Sequence, residues 1–96
     1  MALVKDEAGM LIFYCPCGLC GEVRIKKNRW KLSGTPDAPT ITPSINTVIN
    51  PSDHPHYNPE VKTSRCHILV QDGKIHYLDD CTHALAGKTI DLPELP

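Results

Sequence analysis

Three of the five cysteines in this chain fall within six residues, Cys15-Pro16-Cys17-Gly18-Leu19-Cys20, with Gly21 next; Cys66 and Cys81 come much later. Cys-x-x-Cys followed by Gly has the spacing of a zinc knuckle, because two thiolates then reach one ion while the glycine lets the backbone turn beneath it. The preferred ligand set is Cys17, Cys20, Cys66 and Cys81, with Cys15 and His83 as alternates and Cys15 able to pair with either Cys17 or Cys20. Four thiolates make a closed tetrahedral site, so the expected zinc is structural rather than catalytic. Its binding energy would be folding energy. The competing reading, buried thiols acting as small hydrophobes, fits poorly with three thiols in a Gly/Pro-rich turn. Asp53-His54-Pro55-His56 also looks ligand-like, but no periodic element there makes its side chains converge, and it reads as solvated loop.

A second chemistry is available to Ser44, His67 and Asp80. Acyl transfer by serine needs an imidazole beside the hydroxyl and an acid that holds the imidazole in place. Ser44 follows Pro43, a rigid bend that can expose a hydroxyl. His67 and Asp80 are brought together by a hairpin. Asp72-Gly73 lies between two β-rich runs, 65–71 and 74–80, and is a strong two-residue turn signal. Counting back from it pairs Gln71 with Lys74, Leu69 with His76, His67 with Leu78 and Cys66 with Asp79. Side chains alternate between faces. Cys66, Ile68, Tyr77, Asp79 and Cys81 therefore share one face, and His67, Leu69, His76, Leu78 and Asp80 share the other. The thiols and the candidate base point in opposite directions. Cys15 is a rival nucleophile if no metal holds it, and backbone N–H groups near Ile45 are the candidates for an oxyanion site.

The remaining elements are short. Met10–Tyr14 and Glu22–Lys26 read as strands, Trp30–Leu32 as a third, and Ser33–Pro39 as turns. Thr40–Ile49 is β-branched, broken or edge-like at Pro43, with 45–49 as its regular part. Residues 50–64 form a surface loop. Thr82–Gly87 has the composition of one helical turn closed by Gly87, and the tail is extended at most. The expected fold is a small, mostly-β single domain over residues 1–96, with a zinc-ribbon-like cysteine knuckle, antiparallel hairpins and little helix.

Composition narrows the function. A chain of 96 residues with five aromatics has a thin core and buries only roughly 60–65% of its unfolded surface, so a metal clasp would be needed. The formal net charge of −1 exerts no global pull on nucleic acid or membrane. No apolar run approaches the ~20 residues of a membrane span. The N-terminal residues carry no apolar signal core, which together with an odd cysteine count favours a cytoplasmic, reduced, metal-binding protein over a disulfide framework. Arg24, Lys26, Lys27, Arg29 and Lys31 put five basic residues into eight, and Trp30 among them could stack on a base. An exposed edge strand guarded by charge is the preferred reading, and nucleic acid is not the expected partner.

The chain resembles short phage and prophage proteins of unassigned function that often carry an automated "ammonia monooxygenase" label. The resemblance rests on Cys17, Cys20 and Gly21, Trp30, the run Pro39–Ile45, Cys66-His67, Asp72–Ile75 and the closing run Asp80–Gly87. The oxygenase label has no support, since nothing in the chain looks like a copper or membrane site. More broadly it is similar to proteins of bacterial ubiquitin-like conjugation operons, through the cysteine turn, Pro43-Ser44, Cys66-His67 and Gly73. That resemblance implies a serine protease acting on a ubiquitin-like protein, with Ser44 as nucleophile and His67 as base. Asp80 comes from the hairpin register alone. The expectation is a zinc-stabilised Ser-His(-Asp) hydrolase of peptide or ester bonds in a bacterial host. The alternative is a non-catalytic zinc-ribbon module that binds or blocks a host protein.

Overall fold

A computed structural model describes residues 2–96. Among the described residues there is no helix, and the strands form two antiparallel sheets. The first sheet has the order β1 (Lys5–Glu7), β2 (Met10–Cys15), β3 (Gly21–Lys26). The second has the order β4 (Lys31–Thr35), β5 (Ala38–Ile49), β6 (Ser64–Gln71), β7 (Lys74–Tyr77), β8 (Thr89–Asp91). This is the small, mostly-β, knuckle-and-hairpin architecture that the sequence implies.

The Asp72-Gly73 turn forms as expected. Both residues have positive φ, 51° and 75°, which matches the right-handed twist of the strands it joins. Gln71 pairs with Lys74 and Leu69 with His76, and Leu78 N–H donates to His67 C=O at 2.9 Å. Regular pairing stops at Tyr77, so Leu78, Asp79 and Asp80 turn away rather than prolonging the strand. Gly73 is also a point of close approach, since a Cβ there would lie 3.1 Å from the Asp37 carbonyl oxygen.

Three elements differ from the sequence reading. Residues 33–39 are not all turn: β4 runs to Thr35, β5 begins at Ala38, and only Pro36-Asp37 lie between them. Gly34 sits opposite Pro39 because the strands touch there; an added Cβ would be 2.5 Å from the Ala38 carbonyl oxygen. The Thr82–Gly87 segment forms successive turns instead of a helical turn. Gly87 N–H is drawn to Tyr77 C=O at 3.0 Å, out of any helical pattern. Finally, β1 pairs with β2 across Ala8-Gly9, both at positive φ.

The core lies between the sheets. Leu11, Phe13, Ile41, Val70 and Ile75 are each 0% exposed, and burying such side chains contributes roughly 1.5–3 kcal/mol apiece. β5 pairs with β6 from Ile41↔Val70 and again from Ile45↔Ile68 to Ile49↔Ser64, with a bulge between. Four steps on β5 thus oppose two on β6. Thr42, Pro43 and Ser44 are the bulged residues, and the Thr42–Pro43 peptide is cis. The loop that follows is tied at its root by Asn50, whose side-chain amide donates to the carbonyls of Asn58 and Val61 and accepts from Asn58 N–H. Among the described residues no helix is long and apolar enough to cross a membrane.

Candidate functional site

β6 carries two sites, one on each face. On the buried face Cys66 is 1% exposed. The thiols of Cys15, Cys17, Cys20 and Cys66 all lie within 4.8 Å of one another. Cys15 arrives at the end of β2, paired with Gly21, and the intervening turn folds Cys17 and Cys20 back over it. Cys17, Cys20 and Cys66 come together as the sequence suggested, and Cys15 joins them. Cys81 stands apart, in a second group with Cys66 and His83. The reason is local: regular pairing has ended before Cys81, and its thiol is turned to the backbone of β6. Cys81 Sγ accepts from His67 N–H and donates to His67 C=O, each at 3.2 Å.

The electrostatics of the four-thiol group suit a cation. Hydrogen bonding from Cys20, then Cys66, draws the Cys15 thiol down to about 2, against burial. The same contact with Cys15 pushes Cys20 up to about 12 and raises Cys66 as well. Tyr77, whose hydroxyl is 3.2 Å from Cys15 Sγ, is raised first by burial and then by that contact. One thiolate is therefore favoured among three thiols, and each further negative charge is opposed. A bound cation removes that opposition, because metal ligands bind deprotonated. The donor set fits a thiophilic metal: tetrahedral thiolate bonds of about 2.3 Å place neighbouring sulfurs about 3.8 Å apart, and Cys15 and Cys66 are 3.9 Å apart. His83 Nδ1 accepts from Leu85 N–H at 3.2 Å. Its Nε2 is buried without a partner, and the ring stands edge-on to Tyr77. Neither ligand group includes His54 or His56.

On the other face of β6, His67 bridges two elements. Its Nε2 is 3.1 Å from Ser44 Oγ on the β5 bulge, and its Nδ1 is 3.0 Å from Asp80 Oδ2 beyond β7. The bulge accounts for the first contact, since extra residues in one strand re-aim a side chain. The turn after Tyr77 accounts for the second. The hydrogen bond from His67, then that from Arg65, holds the Asp80 carboxyl below its ordinary value of 3.8. An ionised Asp80 can only accept, so Nδ1 carries the proton of the neutral ring and Nε2 is left to accept from the Ser44 hydroxyl.

Two contributors were missed from sequence. Arg65 Nη1 lies 3.3 Å from Asp80 Oδ2, and Trp30 Nε1 donates to Ser44 C=O at 3.4 Å. Arg65 was findable, because the same count that pairs Cys66 with Asp79 sets Arg65 against Asp80. Trp30 had no local signal. The basic run around Trp30 is partly neutralised by Arg24–Glu22 (2.9 Å) and Lys27–Asp6 (2.7 Å), and β3 is a sheet edge, in keeping with a charged edge strand.

Fold and site together define a small two-sheet β protein with a four-thiol cluster on one face of its central strand and a Ser-His-Asp arrangement on the other. Residues 1–78 match the family described as bacterial ubiquitination-like system serine protease (BubE), and the chain belongs to that family. Ser44, His67 and the four clustered cysteines fall inside the matched region, whereas Asp80 and Cys81 lie beyond it. No curated protein and no solved structure matches the chain significantly.

Proposed function

We propose that this chain is a serine hydrolase of a bacterial ubiquitin-like conjugation system, cleaving peptide or ester bonds with Ser44 as nucleophile, His67 as base and Asp80 as orienting acid. The observation that carries the reading is the placement of Ser44 and Asp80 on opposite nitrogens of one ring, at 3.1 and 3.0 Å. Membership of a family described as serine proteases supports it. In this reading the Ser44 proton passes to His67 Nε2 as Oγ attacks the carbonyl carbon. The resulting imidazolium, stabilised by Asp80, gives that proton to the leaving group. Water, deprotonated by the same nitrogen, then releases the acyl group.

A structural zinc held by Cys15, Cys17, Cys20 and Cys66 completes the proposal. It would tie the β2–β3 turn to β6 and contribute folding energy, with no part in the chemistry. Residues 1–96 then form one domain, a reading supported by the burial of Leu92 and Leu95 and by the Leu95 N–H bond to Ala2 C=O. Five free thiols suit a reducing compartment such as the cytoplasm. A fluorophosphonate probe tests the hydrolase reading: labelling is expected on Ser44 and should vanish in His67→Ala. Folded, metal-loaded protein that takes no label at Ser44 would sink it, leaving a non-catalytic binding module.

A further inference from the structure

β5 is covered on only half of one side. β4 pairs with it from Ala38 to Thr42 and stops, whereas β6 continues along the other side to Ile49. His67 turns its N–H and C=O away from β5, toward Cys81 and Leu78. Backbone groups alternate along a strand, so Cys66 and Ile68 turn theirs toward β5, where Thr47 and Ile45 meet them. Ser44, Asn46 and Val48 are left facing the open side. Ser44 C=O is met there by Trp30. Among the described residues, Asn46 and Val48 have no strand beyond them. A row of unpaired backbone groups is a template for another extended chain.

We infer that this open edge of β5 binds substrate as an added β-strand, so that the acyl-side ligand is an extended peptide segment. Three observations select that occupant. The row begins at Ser44, which places the reacting carbonyl at one end of the added strand. Backbone donors and acceptors are the groups on offer, and only an extended main chain matches their spacing. On the core side the edge is flanked by a groove of about 300 Å³ whose lining includes Leu19, Val23, Thr47 and Ile49, with Ile49 39% exposed. Every second side chain of the added strand would drop into this groove, which selects apolar residues there, while the alternate ones stand on the Ser44 and His67 face. The inference rests on Ser44 as nucleophile only for where the scissile bond falls.

The test is binding to Ser44→Ala protein, read without turnover. Hexapeptides selected on it from a random display library should each lose at least tenfold in affinity when N-methylated at alternate backbone positions, and be unaffected at the positions between. Asn46→Pro removes one outward N–H and no bond to β6, so it should weaken the same peptides at least tenfold with its circular dichroism unchanged. Failure to select any peptide, or equal tolerance of N-methylation at every position, would overturn the inference even if Asn46→Pro proved unfolded. Because no nucleophile takes part, absence of fluorophosphonate labelling would defeat the hydrolase reading and leave this result standing.

Discussion

Cys66 and His67 are consecutive residues on one strand with opposite duties. The Cys66 face is closed, being packed between the sheets with the Tyr77 hydroxyl among its thiols, and the Cys66 side chain is 1% exposed. The His67 face is open, with the His67 side chain 24% and the Asp80 side chain 44% exposed. The difference shows how a small β protein can keep a rigid face and an accessible face on one strand. Rigidity is supplied on one face and access on the other, and strand alternation keeps them apart by a single peptide bond.

Metal removal should break the comparison most severely. Chelation, or Cys66→Ser, is expected to abolish the cooperative unfolding transition, since the domain's stability is on the order of 5–15 kcal/mol and a structural zinc contributes on that scale. Calorimetry with and without chelator, alongside metal analysis expecting about one zinc per chain, checks this; metal-free protein that melts unchanged would remove the closed face's assigned role. One residue along, His67→Ala should lower kcat on an activated ester by about 10⁶-fold while shifting stability by no more than about 1 kcal/mol. Steady-state kinetics and denaturant melts on the same preparation separate those two effects.

Asp80→Asn should cost on the order of 10⁴-fold in kcat with KM little changed, because an amide can donate to Nδ1 and so move the ring proton to Nε2. Retention of full activity would assign the base to His67 without Asp80. A smaller effect concerns acid. Asp80 is held below 3.8 by His67 and then Arg65, so it stabilises the fold fully above the unfolded carboxyl value. That contribution is lost as pH falls from there through the lower folded value. Melting temperatures of wild type and Asp80→Asn should therefore converge as pH drops below about 3.8. Arg65→Ala is the mildest change. It removes an exposed partner at 3.3 Å and is expected to reduce activity a few-fold, with the deficit growing at low salt where the pair is least screened.

Part of the candidate catalytic face was legible because one turn signal placed His67. Asp72-Gly73 set the register and the register put His67 on the face away from Cys66, whereas Asp80 reaches His67 through the turn after Tyr77, where that register has ended. The thiol cluster was less legible, for a related reason. Knuckle spacing favoured Cys17 and Cys20 and left Cys15 spare, yet alternation along β2 already placed Cys15 on the face of Leu11 and Phe13, all three now 0% exposed. The β4–β5 hairpin was hidden because Gly34 and Pro39, turn residues by composition, serve inside strands where two backbones touch. Trp30 reaches Ser44 across fourteen residues, a distance over which sequence periodicity carries no information.

Asn50 deserves a last consequence. Its side chain fastens both Asn58 and Val61 from the end of β5, and Thr63 Oγ1 closes the loop by donating to Asn50 C=O at 2.7 Å. The tip between these fastenings, from Ser52 to Tyr57, is exposed throughout and contributes nothing to the core. A fluorophore attached at Asp53 would therefore ride on a rooted stalk at the far end of the β5 edge, a built-in reporter position from which arrivals along that strand could be watched in real time.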